Sequence, residues 1–368
     1  MYRMLKISFN APTRKFDNDL QLHSKIINFL KKGPYLNGNE LLNFEFNFAD
    51  FIGGKFCIGV CSGTAALELA IASLNLSKDS EILMTANAGA YGSIAAVKAN
   101  VIPKYFDVDQ NGQACYKSFT DSINSKTGAV ILTHLYGQAV DVQPLIALCK
   151  SRGIFIIEDC SHSIGASYPN SRKLTGSLGD ISTFSFYPTK NLSTFGDAGA
   201  IVTSNHALAD HIQKLRTYGW SQKYYAVLER GFNYRMDDLH ALAVNHQLTS
   251  LINFNQKRVS ILRQYQDSGF QSGIKFLGKF DNTNSGHLAV IKSEKRDELK
   301  NYFESNGIET AIHYPYPDYS QPAFSKFKDK SLPQTENHCN SILSIPLYSD
   351  LNNKELQYIL DLISSFKS

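Results

Sequence analysis

Between residues 55 and 205 the chain alternates short apolar runs with longer helix-patterned segments. The runs Phe56–Ser62, Glu81–Thr85, Ile102–Val108, Ala129–Leu135, Phe155–Cys160, Ile181–Tyr187 and Ala200–Thr203 read as strands. Most are apolar on both alternating faces, the pattern of strands covered by helices on each side. Thr64–Leu74 and Val142–Arg152 carry helical periodicity between them. The pattern predicts an α/β sheet, mainly parallel, with right-handed crossovers.

The character changes after about residue 205. His206–Tyr218 and Met236–Leu251 read as helices, the latter continuing through Phe254–Gln266. A strand at Leu288–Lys292, a helix at Asp297–Ser305 and a C-terminal helix from Lys354 follow. Ahead of the sheet, Asp19–Lys32 is an amphipathic helix, and Gly33–Gly38 is a turn-rich loop. A chain of 368 residues exceeds what one core usually holds, so two domains are expected: 1–249, with an N-terminal arm, and 250–368.

Composition narrows the class. Apolar residues make up 43 % and charged residues 19 %, as in ordinary globular proteins. The net charge of +4 is spread thinly, unlike the clustered Lys and Arg of nucleic-acid binders. Met1–Leu20 lacks the apolar core of a signal peptide, and no apolar run reaches membrane-spanning length. Cysteines at 57, 61, 115, 149, 160 and 339 include no Cys-x-x-Cys pair, so neither a metal clip nor a redox motif is expected. A cytoplasmic protein with free thiols is the simplest expectation.

Three segments carry candidate chemistry. In Ser185-Phe186-Tyr187-Pro188-Thr189-Lys190-Asn191 a strand runs into a proline turn and then a lysine. Ligands in α/β sheets bind at the C-terminal ends of strands. A lysine there, with its pKa lowered, can form a Schiff base with an aldehyde. Taken alone, Lys190 also fits a surface loop. Glu158-Asp159-Cys160-Ser161-His162 follows the apolar run 154–157. An acid at the end of a buried strand needs a partner. Asp159 could hold a pyridinium nitrogen protonated, or cap the next helix. His162 could pack on such a ring or reach its hydroxyl. Ser62-Gly63-Thr64 opens a helix, whose free N–H groups and positive end suit a phosphate or simply a cap. Tyr91 offers a ring for stacking, and Ser185 a further phosphate donor. Gly196-Asp197-Ala198-Gly199 reads as a structural turn.

These segments, in this order, resemble the DegT/DnrJ/EryC1/StrS sugar aminotransferases, which are pyridoxal 5′-phosphate (PLP) enzymes of fold type I. The densest likeness lies in 158–166, 176–180, 184–192 and 196–200, with Asn233, Arg235 and Asp237 matching the family's Asn-x-Arg-x-Asp segment. The resemblance implies a seven-stranded, mainly parallel sheet flanked by helices, with a smaller C-terminal α/β domain. It implies Lys190 as the Schiff-base lysine, Asp159 at the ring nitrogen and His162 near the ring hydroxyl. Ser62, Gly63, Thr64 and Ser185 would hold the phosphate. Asn233 would reach the cofactor of a second subunit, giving a homodimer with shared active sites. Where many members place Asn-Thr-Phe or Asn-Thr-Tyr, this chain has Asn87-Ala88-Gly89-Ala90-Tyr91, leaving Tyr91 as the available ring.

The implied reaction moves an amino group from L-glutamate to a nucleotide-linked keto-6-deoxyhexose. His313-Tyr314-Pro315 and Gln321-Pro322-Ala323 resemble members making dTDP-linked 3-amino-3,6-dideoxyhexoses, favouring C3 over C4 amination. Tyr187, Tyr218, Trp220, Lys223, Tyr224, His313 and Tyr314 are the expected sugar-nucleotide contacts. Products of this kind enter surface polysaccharides or glycosylated natural products. The rival readings are another PLP reaction, such as dehydration, or a non-catalytic nucleotide-sugar-binding relative. Lys190 weighs against the dehydrating branch, and Lys190 with Asp159 against the non-catalytic relative.

Overall fold

The computed structural model describes residues 5–17 and 19–367. Met1–Met4, Asn18 and Ser368, which belong to the expected arm and domain ends, lie outside them. Seven strands form the central sheet: β1 Phe56–Val60, β2 Glu81–Thr85, β3 Ile102–Phe106, β4 Thr127–Thr133, β5 Phe155–Asp159, β6 Ile181–Ser185 and β7 Gly199–Thr203. Their order is β1-β7-β6-β5-β4-β2-β3. Only β7 runs antiparallel to its neighbours, β1 and β6. The apolar runs are thus the sheet, but five of them leave it early. Residues such as Cys61–Ser62, Cys160 and Phe186–Tyr187 turn out of the sheet at the strand ends and become loops.

Helices α1 Arg14–Asp17, α2 Leu20–Lys32 and α3 Asn39–Ile52 precede the sheet, and α4 Gly63–Ser73, α5 Tyr91–Lys98, α6 Tyr116–Ser122 and α7 Gln143–Arg152 connect its strands. The side chains of Ser62 and Asp19 cap α4 and α2, each accepting a backbone N–H. On one face of the sheet, α4, α5 and α8 (His206–Arg216) bury an aliphatic cluster that includes Ile58, Leu67, Ile131 and Ile212. On the other face, α3 and α9 (Asp238–Leu248) enclose Phe44, Phe48, Phe184 and Phe186, which meet edge to face. The predicted helix from Met236 begins two residues later. The chain breaks at Thr249–Ser250 before α10, Leu251–Ser272.

Strands β8 Trp220–Gln222 and β9 Tyr225–Ala226 make a small exposed hairpin. Toward the C-terminus, β10 Ala289–Lys292 pairs antiparallel with β11 Ile342–Ile345. With α10, α11 (Arg296–Ser305) and α13 (Asn353–Ser365) they enclose a separate cluster containing Leu262, Phe303 and Ile359. Helix α12, Pro333–Ser341, leads into β11, and α13 starts with a full capping box between Asn352 and Glu355. Ile7, from the N-terminal arm, packs into this C-terminal cluster. All six cysteines are free thiols, four buried and two, Cys61 and Cys115, half-buried. Among the described residues no helix is long and apolar enough to cross a membrane.

Candidate active site

The C-terminal ends of β1, β4, β5 and β6 open onto a cavity of about 380 Å³. Each strand end contributes through its departing loop. The turn after β1 supplies Ser62, Gly63 and Thr64; β5 supplies Asp159, Ser161 and His162; β6 supplies Ser185, Tyr187 and Lys190. Tyr91, His313 and Tyr314 complete the group of expected residues that line it.

Gly63 sits where nothing larger fits. A Cβ there would stand 2.6 Å from the Ser185 Cβ and 3.1 Å from its hydroxyl. Ser62 accepts the Ala65 N–H at 3.1 Å, which leaves its own O–H to donate into the cavity. Gly199, in the turn expected to be structural, is equally constrained. A Cβ on it would lie 2.5 Å from the Ser62 carbonyl, so β7 can close on this loop only through glycine. The result is a helix N-terminus flanked by two serine hydroxyls, a cradle for a dianionic phosphate.

Strand alternation separates the two adjacent acids. Glu158 points away from the cavity and is fully buried. It accepts from His134 Nε2 at 2.9 Å, Leu178 N at 3.1 Å, Gly179 N at 2.6 Å and the Tyr168 hydroxyl. Burial alone would raise its carboxyl, but His134, Tyr168 and Gly179 outweigh it and hold the value below the ordinary 4.5. His134, Glu158 and Cys160 stand close enough to share a metal ion. The donors already on Glu158 make the group a hydrogen-bond hub instead. Asp159 faces the cavity, with one oxygen taking the Ser161 N–H at 3.1 Å and the other left for a ligand.

Lys190 is pushed from 10.5 down to about 8, by burial first and against the opposing charge of Asp159. His162 accepts the Tyr136 N–H on Nδ1 at 3.3 Å, so its proton belongs on Nε2. Burial, then the charges of Lys190 and His313, push it well below 6.5, and it stays a neutral donor. The loop bearing Tyr91 is held by Asp318, which takes the Ala90 N–H at 3.0 Å and the Ser93 hydroxyl at 2.6 Å. The Tyr91 ring then meets Tyr314 edge to face at 6.3 Å.

Asn233, Tyr218, Trp220, Lys223 and Tyr224 do not line this cavity. The last four cluster on the β8–β9 hairpin and the turn before it, with Tyr218 and Trp220 at 4.8 Å and Lys223 over the Tyr224 ring at 5.0 Å. Phe9, Asn10, Asp197 and His287 do line it, without having been singled out from the sequence. A turn glycine beside Asp197 and the Ser285-Gly286-His287 turn were the available signals. Phe9 and Asn10 had none, lying more than fifty residues before the nearest motif.

A lysine of lowered pKa, a free carboxylate oxygen, a neutral histidine donor and a phosphate cradle at the strand ends fit PLP, and with this sheet they define a fold type I PLP-dependent transferase. The DegT/DnrJ/EryC1/StrS aminotransferase family profile matches residues 18–364. The chain belongs to that family and is an aminotransferase. It is 34 % identical over 340 residues, covering 92 % of this chain and 93 % of the relative, to dTDP-3-amino-3,6-dideoxy-alpha-D-galactopyranose transaminase of Aneurinibacillus thermoaerophilus. It is 31 % identical, at 92 % and 90 % coverage, to dTDP-3-amino-3,4,6-trideoxy-alpha-D-glucose transaminase of Streptomyces venezuelae. Among solved structures, S. venezuelae DesV in complex with a ketimine intermediate superposes with a TM-score of 0.92 at 29 % identity and 98 % coverage of both chains. NtdA of Bacillus subtilis, with bound cofactor PMP, superposes at 0.89 with 25 % identity, covering 98 % of this chain and 85 % of that one.

Proposed function

We propose that this enzyme moves an amino group from L-glutamate to dTDP-3-keto-6-deoxyhexose, giving the 3-amino-3,6-dideoxyhexose. The observation that carries the sugar assignment is the 34 % identity, across nearly the whole chain, to a transaminase named for a dTDP-3-amino-3,6-dideoxyhexose. PLP, when bound, supplies the aldehyde that accepts the amine and a ring that takes up electrons. Lys190 would hold the cofactor through its Nζ and, when free, would be the acid–base group that takes up and returns the donor's α-proton, from a position already within reach. Asp159 would keep the ring nitrogen protonated, and His162 would donate from Nε2 to the ring hydroxyl. Ser62, Gly63, Thr64 and Ser185 would hold the phosphate, and Tyr91 would cover the ring. Tyr187, His313 and Tyr314 meet the sugar.

The remaining expected contacts do not line their own chain's cavity and would reach a site from a second copy. Phe232 is 65 % exposed and Tyr224 77 % exposed, and Tyr187 and Tyr91 stand half-open at the cavity mouth. Joining such surfaces buries them and brings Asn233, Trp220 and Lys223 of one subunit to the cavity of the other. We therefore read the enzyme as a cytoplasmic homodimer with shared sites. Each chain is divided at 249/250, just ahead of α10, into a large and a small domain.

The test is spectral, then chemical. L-Glutamate should replace the yellow band of the purified protein with the shorter-wavelength band of the aminated cofactor. The 3-keto sugar should then restore the first band and yield an amino sugar with nitrogen at C3 by NMR. Nitrogen at C4 would overturn the regiochemistry. A protein that stays colourless with added PLP would overturn the whole reading.

A further inference from the structure

The N-terminal arm crosses from the small domain to the loop that carries Lys190. Ile7 exchanges backbone hydrogen bonds with Gly307 and Glu309, and Phe9 N–H donates to Glu309 at 2.9 Å. The Phe9 ring stacks on His313 at 5.4 Å. Further on, the Arg14 fork grips Glu355, at the start of α13, with two contacts of 2.7 Å, and reaches the Asp350 carbonyl at 3.1 Å. The next residue turns the other way. Lys15 Nζ donates to the Lys190 carbonyl at 2.6 Å, the Asn191 carbonyl at 3.1 Å and the Ser193 hydroxyl at 3.1 Å.

An ammonium has three N–H donors, and here three acceptors receive them. None is a carboxylate, and among the described residues Lys15 makes no ion pair. A cation placed thus does not neutralise a charge; its contacts all go to one loop. Burial, with Arg258 adding to it, pushes Lys15 down to about 7, against the pull of Asp350. That is a cost which the carbonyl contacts must offset.

Other contacts hold the rest of the loop: His287 Nδ1 meets the Asn191 side chain at 3.0 Å, Gln247 donates to the Ser193 carbonyl at 2.7 Å, and Thr194 N–H donates to the Phe186 carbonyl at 2.8 Å. Lys190 N–H bonds the Tyr187 carbonyl at 2.8 Å, which closes the turn. The Asn191 side chain donates to Asn255 at 2.8 Å and the Ser285 carbonyl at 2.7 Å, holding the far side. The carbonyls of Lys190 and Asn191 fall to Lys15. Without it two partly buried carbonyls lose that donor, and the backbone that bears the reacting amine can rotate to find water.

We propose that Lys15 is a positioning residue for Lys190: by holding the carbonyls of Lys190 and Asn191 it sets where the catalytic amine stands, and the adjacent Arg14 ties that setting to the small domain. The inference rests on Lys190 being the Schiff-base lysine.

The test uses the full-length enzyme with Lys15→Met, which keeps the length of the side chain without the donors, and Lys15→Arg, which keeps a cationic donor. Three readouts are needed: the rate of PLP uptake by the apoprotein, the pH midpoint of the resting enzyme's visible band, and kcat and KM for the glutamate half-reaction. Misplacement of a reacting group by an ångström costs roughly 10²-fold. Lys15→Met should therefore fold, lose about 10- to 100-fold in kcat and in uptake rate, shift the band's midpoint, and keep KM within about twofold. Lys15→Arg should recover most of the loss. A folded Lys15→Met protein with parental kcat, uptake and midpoint would leave Lys15 a merely structural residue and overturn the proposal. If Lys15→Met does not fold, Arg14→Gln decides. It loosens the arm from α13 without removing any group that touches the Lys190 loop, so an effect on the loop must pass through Lys15. The same changes at smaller size support the proposal, and an unshifted midpoint with full kcat overturns it. A parent enzyme that takes up no PLP would overturn the reading of Lys190 itself, and the role of Lys15 with it.

Discussion

A lysine attacks an aldehyde only as the free amine, so the lowered pKa of Lys190 predicts a measurable pH profile for the proposed cofactor uptake. With a pKa of about 8, roughly 9 % of the lysine is neutral at pH 7; at the ordinary 10.5 the fraction is about 0.03 %. Burial thus raises the reactive fraction about 300-fold at neutral pH. The apoprotein, prepared by treating the enzyme with glutamate and dialysing, can be mixed with PLP in a stopped-flow instrument from pH 6 to pH 10. Uptake should rise about 90-fold between pH 6 and pH 9 and then level off. Asp159 opposes the shift, so neutralising it in Asp159→Asn should move the midpoint below that of the parent. An ordinary lysine would instead gain about 1000-fold over the same range and still be climbing at pH 10. A rate that keeps rising tenfold per pH unit to pH 10 would refute the claim that this cavity tunes its lysine.

Other outcomes follow from the same geometry. Gly63→Ala sets a methyl 2.6 Å from Ser185 Cβ, so strand β6 or helix α4 must move. An overpacking cost of about 1–3 kcal/mol predicts PLP affinity weaker by about 5- to 150-fold in equilibrium dialysis, with the circular dichroism unchanged. Glu158→Gln replaces one oxygen by an N–H₂ that must face either Leu178 and Gly179 or His134 and Tyr168, all donors in the parent. Breaking that buried network should cost about 3–5 kcal/mol, read as a lower urea midpoint. Because Glu158 titrates below 4.5 when folded, its stabilisation is complete above that pH and is lost as pH falls through the folded value; the variant should lack this acid-side loss. Trp220→Ala, on the exposed hairpin, should raise KM for the nucleotide sugar several-fold and leave the glutamate half-reaction alone. An equal loss in both half-reactions would place Trp220 elsewhere.

Much of the site could be read from the chain because its signals are local. Burial on both faces gives a strand an apolar run that ends where the strand ends. Residues at the end of such a run or in the turn that follows, such as Ser62, Asp159 and Lys190, therefore stand at the rim where ligands bind. Caps such as Ser62 and the Asn352–Glu355 box act over three residues and are equally visible. Tertiary structure decided what depends on distant partners. Whether Glu158 or Asp159 faces the cavity turns on which face of β5 the loops of Lys190 and His162 close over, and the pattern of two adjacent acids is the same either way. The reversal of β7 follows from how it fits between β1 and β6, where Gly199 must meet Ser62. Phe9 and His287 reach the site, and Lys15 the loop beside it, because the N-terminal arm and the segment ahead of β10 pack there, across about 100 to 180 residues of chain from Lys190. No local pattern encodes such a contact; it exists only once hydrophobic packing has brought these distant segments together and left those polar groups to one another.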